Sequence, residues 1–466
     1  MAILEKIPTG IRGFDEITEG GLPSGRCTLI AGGPGSGKTM FAMQFLLNGS
    51  INYDEPGIFM SFEEKKEDLA KNFSSLGFDI DELAAQKKVS IDYVRVERKE
   101  ISETGEYDLE GLFVRLDYAI KKIGAKRVVL DTIESLFSGL SNGAVLRAEL
   151  RRLFEWLKDH GMTTVITGER GDGSSITRQG LEEYVSDCVI LLDNRIYDQV
   201  ATRRLRIVKY RGSVHGQGEY PFLFDDRGMS VLPVSSLKLE HQVSEEHILT
   251  GVNDLDAMMD NVGYFKGSTI LVTGTAGTGK STMSASLTEA ACTRGEKVLY
   301  FSFEESPRQL KRNMRSVGID LEQYEKKGLL KFHATRPTAY GLESHLLLMQ
   351  RAIQEEKPSV VIVDPLSNLI MVGTLLDVKS MLIRLVDYLK AEGITAMFSS
   401  LSSGSETEFG TVAGISSIID SWIVLRDVQE GREIKRELVV LKSRGMPHSR
   451  KIGQLVFTEG GLKILT

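Results

Sequence analysis

The sequence predicts an α/β protein built from two tandem domains, each a mainly parallel β-sheet flanked by helices. Three observations lead there. The chain has 466 residues, room for two or three domains at roughly 150 residues each. It repeats itself at long range, which marks a duplicated domain. Within each copy, short apolar runs alternate with stretches of helical period, the pattern of a parallel sheet covered on both faces.

The repeat is read directly. Ile7-Pro8-Thr9-Gly10 returns as Ile248-Leu249-Thr250-Gly251, a shift of 241, and Phe62-Glu63-Glu64 returns as Phe303-Glu304-Glu305 at the same shift. The glycine-rich run that starts at Gly32 returns at Gly274, a shift of 242. Lys209, Arg211 and His215 return as Lys442, Arg444 and His448, and Phe224 and Gly228 as Phe457 and Gly461, all at 233. The copies are therefore expected at 1–235 and 247–466, with a polar linker over 236–246.

Taken in order, Cys27–Ala31, Ile58–Ser61, Val128–Asp131, Thr163–Thr167 and Val189–Leu192 read as strands of the first copy. Ile270–Thr273, Val298–Ser302, Val360–Asp364 and Ile394–Ser399 read likewise in the second. Leu146–His160 places its apolar residues at helical spacing.

Composition narrows the function. Lys and Arg number 57 against 64 Asp and Glu, a net charge of −7. Such a chain has no positive surface excess to make duplex nucleic acid or an acidic membrane its default partner. Cys27, Cys188 and Cys292 lie far apart and form no CxxC pair; this argues against a disulfide scaffold or zinc site and suits a reducing cytoplasm. Met1–Gly10 has no signal-peptide apolar region, and no apolar run approaches the ~20 residues that span a bilayer. A cytoplasmic protein is expected.

Two segments fit GxxxxGK[ST]. In the first, Gly33, Gly35, Ser36, Gly37, Lys38 and Thr39 follow the apolar run CTLIA; in the second, Thr275, Gly277, Thr278, Gly279, Lys280 and Ser281 follow TILVT. The glycines let backbone N–H groups converge on phosphate oxygens at a helix N-terminus, the lysine supplies a point charge, and the hydroxyl of Thr39 or Ser281 suits Mg²⁺. The expected ligand is ATP with Mg²⁺. Asp131 and Asp364 end buried-type strands where such a fold places its second Mg²⁺ contact. Glu63-Glu64 and Glu304-Glu305 also end apolar strands. A carboxylate pair there can polarise the nucleophile that attacks the γ-phosphate; the plainer reading is a solvated helix N-terminus favoured by the macrodipole. The two basic trios lie late in each copy, far in sequence from the cradles. They could reach the nucleotide of a neighbouring subunit, completing the site only in a ring, or simply be exposed basic hairpins.

With both cradles, both Phe-Glu-Glu segments, both KxRG…H strands and Gly218-Glu219-Tyr220-Pro221, the chain resembles the KaiC family of tandem RecA-like P-loop ATPases and autokinases over nearly its whole length. The resemblance implies a two-tiered homohexamer with nucleotide at subunit interfaces, a slow ATPase in the first domain and autophosphorylation of two adjacent hydroxyl residues in the second. Here that pair is Ser416-Ser417, where the family often has Ser-Thr, and Thr411 corresponds to a further hydroxyl. Asp187 matches Asp420 at the 233 shift, so the pair falls on Glu183 and Tyr184, and phosphorylation is expected in the second copy only. An alignment through Thr164 and Thr395 sets Glu169-Arg170 against Ser400-Leu401, a further expected divergence between hydrolysis and kinase chemistry. By the same resemblance, members of the cyanobacterial clock continue past the position of Thr466 with a tail that binds KaiA, so control by KaiA is not expected, while a KaiB-like partner stays open. A DNA-acting RecA-like motor is the alternative; it needs a basic channel that the charge disfavours. A signalling ATPase of the same family without a daily rhythm is another.

Overall fold

The structure is a computed structural model that describes residues 4–74, 77–94, 109–136, 143–171, 175–177, 186–197, 200–225, 228–232, 244–402, 417–458 and 461–465. The chain separates into two compact units, Met1–Ser236 and Leu237–Thr466.

Among its described residues the first unit has nine principal strands: β1 (Cys27–Gly32), β2 (Gly57–Ser61), β3 (Val89–Tyr93), β4 (Arg127–Asp131), β5 (Thr163–Glu169), β6 (Cys188–Tyr197), β7 (Val200–Tyr210), β8 (Glu219–Asp225) and β9 (Gly228–Val231). They form one sheet in the order β3-β2-β4-β5-β1-β6-β7-β8-β9. The second unit repeats them as β10 (Thr269–Gly274), β11 (Val298–Ser302), β12 (Leu330–Ala334), β13 (Val360–Asp364), β14 (Thr395–Leu401), β15 (Ser421–Glu430), β16 (Glu433–Ser443), β17 (Gly453–Thr458) and β18 (Gly461–Leu465). Their order, β12-β11-β13-β14-β10-β15-β16-β17-β18, is the same topology. In each sheet the first six strands are parallel and the last three join antiparallel. Two mainly parallel sheets flanked by helices are the predicted fold class.

Burial explains which strands the sequence announces. Every residue of β1, β2, β4, β10, β11 and β13 is buried, and strands covered on both faces read as continuous apolar runs. The edge strands β3 and β12 bury only their first residue fully; they lack that run and were not among the predicted strands. Helices cover both faces. In the first unit one apolar layer gathers Phe14, Phe41, Phe45 and Leu46, the other Leu116, Leu150 and Leu153. The last two lie on a helix spanning Gly143–Asp159, close to the predicted one.

The helices that follow the cradles, α1 (Lys38–Asn52) and α2 (Lys280–Thr293), are buried nearly all round. Gly37 and Gly279 cap them in the left-handed region, at φ 97° and 106°. A Cβ on Gly37 would stand 2.2 Å from the Phe224 ring, and one on Gly279 2.7 Å from that of Phe457. Both demands admit glycine alone.

Strand register also fixes how the copies match. Gly32 pairs with Glu169 and Gly274 with Leu401. The equivalent of Glu169 is therefore Leu401, one residue off the expected match to Ser400. The backbone N–H of Glu169 donates to Glu134 and that of Leu401 to Ser367, and this pair agrees with the strand register. The threonine-based alignment slipped by one because Thr163, not its neighbour Thr164, is the equivalent of Thr395: their hydroxyls accept from the N–H groups of Gly25 and Gly267. Asp187 and Asp420 do occupy equivalent positions, each donating its N–H to the carbonyl at the head of the cradle strand, Cys27 or Thr269.

Candidate functional site

In each unit the cradle, the strand-terminal aspartate and the glutamate pair meet at the carboxyl ends of the parallel strands, where open α/β sheets bind ligands. In the first, Lys38 Nζ donates to the carbonyls of Gly32 at 2.8 Å and Gly33 at 3.2 Å. Thr39 Oγ1 donates to Asp131 Oδ2 at 3.0 Å, and Thr167 Oγ1 donates to Oδ1. Burial pushes the Asp131 carboxyl above its ordinary pKa, against the pull of these two hydroxyls and Lys38. Glu63 Oε1 accepts from Thr132 Oγ1 at 2.8 Å and from Ser135 Oγ at 2.6 Å. Glu64 Oε2 accepts from Asn72 at 3.2 Å.

The second unit follows the plan with changed partners. Lys280 Nζ donates to Gly274 O at 2.9 Å and Thr275 O at 2.6 Å. Burial lowers its pKa, opposed by Asp364, Glu304 and Asp427. Ser399 Oγ takes Asp364 Oδ1, as Thr167 takes Asp131, but Oδ2 accepts from the buried Tyr300 hydroxyl at 2.6 Å. Glu305 Oε1 accepts from Asn313 at 3.1 Å; burial, then Asp364 and Glu304, raise its pKa. Pro365 stands where the first unit has Thr132, and the peptide bonds Asp131–Thr132 and Asp364–Pro365 are both cis. Among the described residues no side chain donates to the Glu304 carboxylate. A cavity of about 410 Å³ opens here, lined by Gly279, Lys280, Ser281, Glu304, Glu305 and Phe457 among others.

The donors suit a hard divalent cation. At the first cradle a buried carboxylate and a hydroxyl are hydrogen-bonded, at the second Asp364 and Ser281 line one cavity, and a Cβ on Gly33, Gly35 or Gly277 would meet nothing within 4 Å, so that face of the loop is open to phosphate. Among the described residues no cluster of three or more His, Cys, Asp or Glu could cage a metal. Mg²⁺ is usually held by one or two protein oxygens, phosphates and water.

The basic trios do not join the cradle of their own unit. Strands β7 and β16 run antiparallel to the cradle strands, so Lys209 pairs with Val189 and Lys442 with Trp422, toward the far end of the sheet. The Arg211 guanidinium lies 3.8 Å from Asp187, and His215 Nδ1 is 2.9 Å from Gly216 O. Lys442 Nζ donates to Ile419 O at 2.7 Å, the Arg444 guanidinium donates to the Ser417 carbonyl, and His448 Nδ1 is 3.5 Å from Met446 O. Ser417 is exposed. Ser416, Thr411, Glu183 and Tyr184 lie outside the described residues.

Several neighbours escaped the sequence reading. Arg436 lies over the Phe457 ring at 5.0 Å and donates to Gly277 O at 3.3 Å; Arg203 lies over Phe224 at 5.3 Å. The internal repeat held that signal, since Arg203 and Arg436 are 233 apart and Asn72 and Asn313 are 241 apart. Thr167, Ser399 and Tyr300 are interior strand residues of unremarkable type, and only the folded register brings them to the aspartates.

Comparison with known proteins agrees with this architecture. The family described as "ATPase: KaiC" matches twice, over residues 7–236 and 248–466. The circadian clock protein KaiC2 of Synechocystis sp. is 53% identical over 465 residues, covering 99% of this chain and 82% of its own length. The circadian clock oscillator protein KaiC of Prochlorococcus marinus is 40% identical over 465 residues, covering 99% and 93%. KaiC3 of Synechocystis sp. is 40% identical over 469 residues, covering 99% and 92%.

Proposed function

The chain belongs to the KaiC ATPase family, and from that premise we propose an ATP-dependent serine autokinase and slow ATPase working as a homohexameric ring. The first domain hydrolyses ATP; the second phosphorylates Ser416 and Ser417. Names of the relatives support a place in circadian or environmental timing, and a KaiB-like protein is the partner proposed for the first ring.

In this reading the cradle N–H groups with Lys38 and Lys280 hold the phosphates, and Thr39, Asp131, Ser281 and Asp364 hold Mg²⁺. When bound, Mg²⁺ neutralises charge on the β- and γ-phosphates. In the first site Glu63 and Glu64 orient water. In the second, Glu304 and Glu305 receive the serine proton as its Oγ forms a bond to the γ-phosphorus, the β–γ bridging P–O bond breaks and ADP leaves. The basic trios act on the nucleotide of the neighbouring subunit.

One observation carries the division of labour. Glu63 is tied down by the hydroxyls of Thr132 and Ser135, whereas Pro365, in place of Thr132, has no donor to tie Glu304. A fixed carboxylate suits the positioning of water; an untied one suits taking a proton from a protein hydroxyl. The test is the double variant Ser416→Ala/Ser417→Ala incubated with Mg-ATP. It should carry no phosphate yet release inorganic phosphate at close to the wild-type rate. Undiminished labelling would put the acceptor elsewhere.

A further inference from the structure

The two sites differ at a residue that no chemical role so far accounts for. Tyr300 lies in β11 with 0% of its surface exposed, its ring packed 5.4 Å from that of Phe332. Its hydroxyl donates to Asp364 Oδ2 at 2.6 Å. The 241 shift places Phe59 at this position in β2, also 0% exposed. Register confirms the match: Phe59 pairs with Val129 two residues before Asp131, and Tyr300 with Ile362 two residues before Asp364.

The consequence falls on the carboxylate. In both units one oxygen takes a hydroxyl from the adjoining strand, Thr167 or Ser399. The other oxygen of Asp131 accepts from Thr39, the hydroxyl placed to ligate Mg²⁺. The other oxygen of Asp364 accepts from Tyr300 instead, and among the described residues no hydrogen bond joins Ser281 to it. A donated hydrogen bond draws negative charge from the carboxylate oxygen, leaving less for a cation or its bound water.

We propose that Tyr300 is a positioning residue of the second site: its buried hydroxyl takes Oδ2 of Asp364 and loosens that site's hold on the divalent cation relative to the first, where Phe59 leaves the equivalent oxygen to Thr39. The proposal rests on the second cradle's being a Mg-nucleotide site. Removing the hydroxyl frees the oxygen for Ser281 and the cation, so the second site comes to resemble the first. A ring without a hydroxyl already fits the equivalent position, so Tyr300→Phe keeps the packing.

The test uses the full chain with saturating ADP and Mn²⁺ as the probe, with free Mn²⁺ measured by electron paramagnetic resonance. Wild type should bind two Mn²⁺ per chain in a tight and a weak class, and Lys280→Ala should remove the weak one. Tyr300→Phe should tighten the weak class by about threefold or more, the effect of one net hydrogen bond. Phe59→Tyr should loosen the tight class. Two Mn²⁺ still bound, with the weak class unchanged or weakened in Tyr300→Phe, would overturn the role of Tyr300. A single Mn²⁺ per wild-type chain would instead overturn the Mg-nucleotide reading of the second cradle, and this proposal with it.

Discussion

At Pro365 the second unit lacks a hydroxyl that the first has at Thr132, and the glutamate beside it loses its tether. This substitution sits in the turn after a strand, where proline is unremarkable, and its effect shows only once the fold sets it against Glu304. The glutamate pairs were legible as candidates because both recur after the same apolar strand; their unequal tethering was not. Replacing both proposed bases, Glu304→Gln/Glu305→Gln, should lower the phosphorylation rate at least about 100-fold while nucleotide binding persists. Autoradiography of serine phosphate alongside ADP titration would check it, and surviving phosphorylation would remove these residues as the base. Burial and the nearby Asp364 and Glu304 hold the Glu305 carboxyl above its ordinary pKa. A base must be deprotonated, so phosphorylation should rise with pH through that raised value, and Glu305→Gln should flatten the acidic limb of the profile.

Element by element, what the sequence made plain was what lies buried on both faces. Strands β1, β2, β4, β10, β11 and β13 are apolar runs because helices cover them above and below. Edge strands β3 and β12 carry Lys, Asp and His among their residues and leave no such trace. The loop-to-helix junctions at the cradles are where a local rule meets a tertiary one. Gly37 needs both a left-handed backbone and room for Phe224, while Gly124 needs only the left-handed backbone at φ 65°. Gly124→Ala should therefore cost about 1 kcal/mol, and Gly37→Ala about 2 kcal/mol or more, read as shifts of the first domain's urea transition. Equal costs would mean that the Phe224 ring moves aside freely. Arg127 is a first-unit element with no counterpart charge, since Val360 holds the place in the second. It is fully buried, bonded to Glu55 at 2.8 Å and to the carbonyls of Phe45 and Pro8 at 2.8 and 2.9 Å. Arg127→Ala should cost about 3–5 kcal/mol in the same transition, because it leaves these acceptors unpaired.

On the scale of the whole molecule, duplication supplies two equal scaffolds and lets their sites diverge. The first aspartate shares its oxygens between two hydroxyls of its own unit, Thr39 among them; the second gives one to Tyr300. The basic trios, at the sheet end away from their own cradles, are proposed to serve a neighbour's nucleotide, so catalysis should cross subunits. Mixing a Lys280→Ala chain, expected to lose its own second nucleotide, with a Ser416→Ala/Ser417→Ala chain should place phosphate on the Lys280→Ala chain, although neither should be labelled alone. Absence of label in the mixture would confine the reaction to single chains. The most direct measurement is intact mass and phosphopeptide mapping of the purified protein after incubation with Mg-ATP and no added partner. Phosphate on Ser416 or Ser417 is the predicted result; unmodified serines with ATP hydrolysis intact would contradict it.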